Sequence, residues 1–592
     1  MGFIIVLAAP VFFLAIAFEW WWGWRLSRQG HTAAQSYRWD DAINSISLGV
    51  ISQLSAVFTR LLRITIYTLV FEHVALFPQP EFWNSWYGAL IALVLYDFCY
   101  YCYHRASHEV ALFWGGHVVH HQSNHYNLST ALRQTTSGAA VGWIFYVPMA
   151  VIGVTPFIFG IVALIDLLYQ FWVHTEHVGK LGWFDRWFCS PSNHRVHHAV
   201  NDAYVDRNYG GIWVVWDRMF GSFKEEDAQT PCVYGTRAPL NSWDPLWANW
   251  QVYSGLFHDS WHASNGLDKL RVWFRHPGWR PADVAERFPK PAFAIEQHLS
   301  FEPVQSRRTL QWATGWFVLL LAAAMDVLWH MDSMVWGDAA VCVLAVTAGL
   351  WGVNALLQNR VTPLLCAFVQ MAALSTAASA CGWEDVYFLA KPMALMLLMF
   401  VAWLPNGLAD KPQTWLVRAL GLSWVGDVLL LYPGMFLPGL VAFLSAHICY
   451  FKLLTMDAQV LPSRTAMLRC LLAGALMYAV LFFNGLPADM RWPVAVYVAV
   501  IALMASQAWG RSFQFKDIPS LKTAAGATVF MLSDSVLAMD TFISPLPYAG
   551  LWVLGTYYVA QGLMVDGVLA SLRQQAESAK KPSPQLSQFR SA

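Results

Sequence analysis

Apolar runs of about eighteen or more residues recur along the whole chain, and this constrains the fold more than any single motif. Such a run satisfies its backbone inside a bilayer only as a helix, so the chain reads as an all-α polytopic membrane protein. Spans are expected near 3–22, 44–72, 85–103, 138–155 and 156–173. After a mostly non-spanning block at 174–308 they resume near 309–328 and 335–357. Eight more follow, near 361–380, 387–404, 415–432, 437–454, 467–485, 492–508, 522–541 and 549–570, for about fifteen in all. The second is the least regular, because Arg60 and Arg63 fall inside it. Composition agrees: 12% of the residues are charged, against about 25% in soluble domains. The formal net charge is zero, without a basic stripe, which argues against a nucleic-acid partner. The opening "MGFIIVLAAPVFFLAIAF" has no basic stretch before its apolar run and reads as a retained first span. Cys99 and Cys102 form a C-x-x-C on an expected span, without a second pair, and read as packing residues.

Charge sets the expected sidedness. With the N-terminus outside, the first inner loop holds Arg25, Arg28 and Arg38, and later inner loops hold Arg360, Lys411, Arg464, Arg511, Lys516 and Lys522. The tail adds Arg573, Lys580, Lys581 and Arg590, whereas Arg491 is the only basic residue in the outer loops after 381. The C-terminus and the block at 174–308 are then cytoplasmic. The expected break is at "LLQNRVTPLL", 356–365, giving a first helical-bundle domain over 1–357, a second over 358–575 and a disordered cytoplasmic tail over 576–592.

Eleven of the nineteen histidines fall between residues 104 and 198. "HRASH" places His104 and His108 four apart, on one helical face. "HVVHH" gives His117, His120 and His121, and "HRVHH" gives His194, His197 and His198. A single histidine on an apolar face is ordinarily structural, but eight in three related spacings at helix ends point to a metal. Neutral imidazoles suit a borderline metal, whereas Ca²⁺ and Mg²⁺ want oxygen. Zinc sites need four ligands, so this number implies two metals in a cytoplasmic, His-rich cap on the first domain. Two irons activating O₂ and two zincs activating water both fit the spacing.

These motifs resemble the fatty acid hydroxylase/sterol desaturase superfamily of membrane di-iron oxygenases. The surrounding words "DFCYYCYHRASHEVALFWGGHVVHHQSNHYNLSTALRQ", "FWVHTE", "SPSNHRVHHAVNDAYVDRNYGGIWVVWDRMFGSF" and "HPGWRP" resemble its alkylglycerol monooxygenase family, over roughly 1–357. The resemblance implies two iron ions, O₂ and an electron donor, which in that family is tetrahydrobiopterin. It implies hydroxylation of the ether-linked carbon of an alkylglycerol, whose hemiacetal product yields a fatty aldehyde. His174, at a span end on the same face, is a ninth expected ligand, whereas His177 and His125 are weaker candidates. Glu109 matches a functional glutamate of the family and would orient an imidazole or relay protons. Asp97 lies on the face of His104 and is a supporting candidate, and Asn127, Arg133 and Gln134 would shape the pocket.

The second half has no clustered histidines. It has Asp427 and Asp534 inside expected spans, each about twelve residues past the inner end and so about 18 Å deep. Intramembrane charge is costly and marks function, and two carboxylates in a dry site can divide into one acid and one base. Lys391, His447, Tyr557, Tyr558 and Gln561 are further polar residues in these spans. Helix-packing hydrogen bonds are the plain alternative. "KP", "GD", "SD" and "TYYVAQ", in this order over eight spans, resemble the lysoplasmalogenase family of eight-span membrane hydrolases. That implies hydrolysis of a lysoplasmalogen vinyl ether, with Asp427 and Asp534 as the acid and base and Lys391 holding phosphate or pairing with a carboxylate.

The two readings converge on a bifunctional ether-lipid-degrading enzyme, acting on alkylglycerols and lysoplasmalogens in a bacterial inner membrane, or in the endoplasmic reticulum of a eukaryote. The alternative is a sterol, carotenoid or fatty acyl hydroxylase or desaturase fused to a non-catalytic lipid-binding or transport bundle.

Overall fold

A computed structural model describes residues 2–29, 37–405 and 411–580. The described residues are helical and hold no β-strand, only the isolated bridges Phe188–Trp213 and Ala199–Tyr234. Each expected span position carries helix, and ten helices are long and apolar enough to cross a membrane. The position expected at 138–155 is not one helix. It divides into Gly138–Gly142, a 3₁₀ turn over Trp143–Tyr146, and Val147–Ile152, which ends at Gly153. Gly153 is left-handed, at φ 115°, and a Cβ there would lie 2.2 Å from the Phe77 carbonyl oxygen, so only glycine fits. The Pro156–Trp172 helix is short for a span at 17 residues. In the second expected span the Trp39–Val74 helix is continuous, and the side chains of residues 60–63, Arg60 and Arg63 among them, lie outside the description. At the other end helix persists from Ala549 to Lys580, so residues 576–580 of the expected tail are helical, and 581–592 lie outside the described residues.

The chain forms two compact units, 1–333 with 353–360, and 334–352 with 361–592. In the first, Ser85 caps the Trp86–Glu109 helix by accepting from the Gly88 N–H. This helix packs Ala92, Tyr96 and Cys99 against Met149, Val154, Ile158 and Val162. It is long enough to carry His104 and His108 on its last turns. The block after Trp172 is mostly loops and short helices. Its Pro191–His198 helix starts with Pro191, is capped by Ser190, and is buried on every side. A helix of eight residues buried all round has no solvent-facing stripe, so its polar side chains need partners within the protein.

Besides most of the Trp336–Leu357 helix, the second unit holds eight helices in sequence, from Pro363–Ala380 to Ala549–Lys580, each hairpin packing on the next. Leu395, Leu398, Leu416, Leu420, Met504, Phe530 and Met564 form its fully buried core. The last two helices pack most closely: a Cβ on Gly526 would lie 2.9 Å from the Ala560 carbonyl oxygen. Small residues at such a seam let two backbones approach inside a bilayer.

Candidate metal centre and a second polar cluster

Nine histidines from four segments of the first unit gather into two groups. His104, His108, His117, His121 and His197 form one, His120, His174, His194 and His198 the other, and in each the ligand atoms lie within 4.8 Å of one another. These are the nine expected from the sequence. Adjacent residues alternate between groups: His120 and His121, like His197 and His198, are neighbours in sequence but face different centres.

The rings are aimed from outside. His104 Nδ1 donates to the Tyr209 carbonyl at 2.9 Å, His120 Nδ1 to Arg133 at 3.0 Å, His174 Nδ1 to Gln170 at 2.8 Å and His197 Nδ1 to Arg207 at 3.0 Å. A carbonyl accepts only, so these rings carry hydrogen on Nδ1 and turn a bare Nε2 inward. The Nε2 atoms crowd: His104 to His117 is 3.0 Å, His117 to His121 3.1 Å, His120 to His174 3.1 Å, His174 to His194 3.1 Å and His194 to His198 3.2 Å. Bare nitrogens at this spacing cannot all bond one another. His108 Nε2 and His197 Nε2 are buried with no partner at all. Orphaned lone pairs converging on two points are what a pair of metal ions would satisfy. Burial also holds the imidazoles of His117, His121, His174, His194, His197 and His198 well below their usual range, and that of His120 down to about 4. They are neutral at physiological pH, as metal ligands must be.

The supporting residues divide. Asp97 touches no histidine. It accepts from the Ile212 N–H at 2.6 Å and the Trp216 indole at 2.7 Å, pinning the loop whose Tyr209 carbonyl orients His104. Arg133 is fully buried, donates to the Val119 carbonyl at 2.7 Å and Asn44 Oδ1 at 2.6 Å, and its own carbonyl holds His120. Asn127 caps the short Leu128–Ala131 helix, and Gln134 bonds locally to the Ala131 carbonyl. Glu109 pairs with Arg105 at 2.9 Å, half-exposed, outside both groups. The carboxylate beside the centre is instead Asp206, 3.4 Å from His108 Nδ1 and 3.0 Å from His276 Nε2. Asp206 sits at φ 56° in a tight loop, and no spacing in the sequence marks it. His125 lies 3.6 Å from Glu302, and neither it nor His177 joins a group.

In the second unit Asp427 and Asp534 line one cavity of about 990 Å³, with Lys391, Tyr497 and Tyr557. Each aspartate sits sixteen residues past the start of its helix, at Lys411 or Ile518, so both lie about 24 Å along their helices. The helices begin four residues earlier than expected; the equality of the two positions is unchanged. Asp427 Oδ1 lies 3.6 Å from Lys391 Nζ, and Oδ2 accepts from the Tyr557 hydroxyl at 2.8 Å. Lys391 is thereby committed to a carboxylate. Asp534 Oδ2 accepts from the Tyr497 hydroxyl at 2.6 Å, and His447 Nε2 stands 2.9 Å from that hydroxyl. Tyr497 is missing from the sequence reading, since one tyrosine in an apolar helix carries no pattern. Tyr558 bonds Ser375 at 3.0 Å, and Gln561 accepts from Tyr450 at 2.6 Å.

A fatty acid hydroxylase family model matches residues 89–222, and a YhhN family model matches 386–568. Alkylglycerol monooxygenase of Homo sapiens is 40% identical over 247 residues, 41% of this chain and 54% of that protein. Alkylglycerol monooxygenase of Danio rerio is 33% identical over 342 residues, 57% of this chain and 73% of that protein. Lysoplasmalogenase TMEM86B of Homo sapiens is 32% identical over 216 residues, 35% of this chain and 89% of that protein. The match thus spans about half of the human monooxygenase and most of the human lysoplasmalogenase. No solved structure matches the chain.

Proposed function

The chain belongs to the alkylglycerol monooxygenase family through its first part and to the lysoplasmalogenase family through its second, and from that premise we propose one membrane enzyme that opens two kinds of glycerol ether. The first domain, 1–357, cleaves alkylglycerols oxidatively, and the second, 358–575, hydrolyses lysoplasmalogen vinyl ethers. Convergence of nine imidazoles, eight buried and His117 half-buried, on two points carries the first assignment. They would hold two irons, five ligands on one and four on the other, and iron bound there supplies the O₂ activation that hydroxylates the ether-linked carbon. The chain's own residues keep the imidazoles neutral, aim their Nε2 atoms and exclude water. The hydroxylated product is a hemiacetal, which separates into fatty aldehyde and glycerol. Electrons come from an external donor, tetrahydrobiopterin by family likeness.

Two carboxylates on one cavity carry the second assignment. An enol ether is hydrolysed by protonating its double bond and adding water to the cation, which needs an acid and a base at one place. The distribution of basic residues favours cytoplasmic histidines and an outer N-terminus.

Full-length protein in lipid, supplied in turn with an alkylglycerol and a lysoplasmalogen, tests both halves by aldehyde release. The alkylglycerol reaction is expected to need O₂, iron and a reduced pterin. The lysoplasmalogen reaction is expected to proceed without O₂ and to be lost in Asp427→Asn and Asp534→Asn. No turnover of alkylglycerol with any donor would return the first domain to sterol, carotenoid or acyl substrates. Unchanged hydrolysis in both asparagine variants would make the second a bundle without this chemistry.

A further inference from the structure

The two aspartates of the second cavity have opposite surroundings. Asp427 is occupied at both oxygens, one beside the Lys391 ammonium and one by the Tyr557 hydroxyl. A neighbouring cation favours the ionised form of a carboxylate. Asp534 has no cation at bonding distance. Its Oδ2 takes the Tyr497 hydroxyl at 2.6 Å, with His447 Nε2 at 3.5 Å, and its side chain borders the cavity.

Hydrogen counting fixes the rest. Tyr497 has one hydroxyl proton and gives it to Asp534, so its oxygen must accept at the 2.9 Å contact with His447 Nε2. His447 therefore carries its hydrogen on Nε2, and its Nδ1 is bare. This agrees with the position of Nδ1, buried without a partner, where an N–H would be an orphaned donor. The His447 ring is fully buried and held edge-on to Phe530 at 4.7 Å, so it cannot turn to exchange its nitrogens freely. The chain of donors runs one way, from His447 through Tyr497 to Asp534 Oδ2. Oδ2 is engaged by the Tyr497 hydroxyl, and the acidic proton is assigned to Oδ1.

Resting on the vinyl-ether reading of this cavity, we propose that Asp534 is the proton donor, Asp427 the base, and His447 a positioning residue that acts only through Tyr497. The proton leaves Asp534 Oδ1 for the outer carbon of the double bond, whose π electrons form the new C–H bond. Positive charge then lies on the ether-linked carbon and its oxygen. Water adds to that carbon and gives its proton to Asp427. The hemiacetal loses its hydroxyl proton as the carbon–oxygen bond to glycerol breaks, and the departing oxygen takes a proton. One water is consumed, no oxidant or reductant is needed, and both carboxyl groups recover their starting state by exchange with water.

The test is the initial rate of aldehyde release from lysoplasmalogen by full-length protein, across pH, for H447F, H447Q, Y497F and the double variant H447F/Y497F. The titratable and charged groups lining this cavity are Tyr497, Asp534, Asp427, Lys391 and Tyr557, with Tyr387, Arg469, Cys470, Asp540 and Tyr548. H447F and Y497F are each expected to lower kcat about tenfold, leave KM unchanged and displace the limb of the pH profile set by the acid. H447Q, which keeps an N–H donor, is expected to retain most of the rate. The double variant is expected to be no slower than Y497F alone, because His447 has no other route to Asp534. A wild-type rate and profile in H447F, or losses that multiply to about a hundredfold in the double variant, would overturn the proposal. Should H447F not fold, equal losses in H447Q and Y497F without a displaced profile would overturn it instead. Wild-type protein that releases no aldehyde refutes the vinyl-ether reading itself. Wild-type activity that needs Asp534 but ignores His447 refutes this inference alone.

Discussion

The unequal division of the histidines makes a sharp prediction about His174→Ala and His117→Ala. His174 belongs to the four-histidine group and His117 to the five-histidine group. Replacing His117 leaves four imidazoles, as many as the smaller group has intact. Replacing His174 leaves three. Disturbing only the support of a metal-bound imidazole costs about 10–100-fold in affinity, so removing the imidazole itself is expected to cost at least about 100-fold, or ~2.8 kcal/mol. Purified protein challenged with a chelator, at a level that wild type just withstands, is then expected to keep two irons in wild type, close to two in His117→Ala and close to one in His174→Ala. Elemental analysis reads the iron content directly, without turnover. His125→Ala, outside both groups, is expected to behave as wild type. Equal losses from His117→Ala and His174→Ala, or two irons retained in His174→Ala, would refute the division into five and four.

Three further outcomes follow from the supporting residues. Arg133→Met removes donors from the Val119 carbonyl and Asn44 Oδ1; leaving buried acceptors unpaired is expected to cost about 3 kcal/mol, read as a fall in melting temperature in detergent. Asp97→Asn replaces one of two acceptors with an amide N–H facing a donor; a loss of about 1–3 kcal/mol is expected, with weaker iron retention because the Tyr209 loop loosens. Arg195 and Glu226 are joined by two bonds, at 2.8 and 2.7 Å, and Arg195 also holds the Thr175 and Val178 carbonyls. Burial pushes the Glu226 carboxyl up, but Arg195 outweighs it and holds the group below its ordinary 4.5. A depressed carboxyl gives stability that is full above the ordinary value and lost as pH falls through the lowered one. The advantage of wild type over Glu226→Gln in melting temperature is therefore expected at pH 6 and to shrink below about 4.5; an advantage that grows on acidification would contradict the pairing.

What was legible in the sequence follows from what repeats. Histidines in H-x3-H and H-x2-H-H declare themselves because a helix returns residues three and four apart to one face, and nothing but a ligand set needs so many. The sorting into two centres is not legible, because neighbours such as His197 and His198 diverge only once the Pro191–His198 helix is seated between other segments. Asp206 is opaque for a similar reason: its place beside His108 depends on a left-handed backbone residue far along the chain. Glu109 shows the converse. It follows a ligand directly, yet one residue past His108 a helix has turned its side chain to Arg105 and the surface. Apolar periodicity located helices throughout, but could not distinguish one span from the three short pieces over 138–152, where a glycine's contact with a distant carbonyl sets the end.

The two proposed chemistries explain why one chain would need both sites. A saturated alkyl ether has no π electrons to take a proton at carbon, so the acid and base of the second cavity have no purchase on it. It yields only once its ether-linked carbon is oxidised, which is work for a metal centre and O₂. A vinyl ether already stands at the oxidation level of an aldehyde, and needs only a proton and water. An oxygenase there would expend electrons on a bond that two carboxyl groups can open. The nine imidazoles and the two aspartates are therefore not redundant routes to one product. Each fits the ether that the other cannot open economically, and inactivating either site is expected to leave turnover of the other's substrate at its wild-type rate. A loss of both activities on changing Asp534 alone would show instead that the two sites depend on each other.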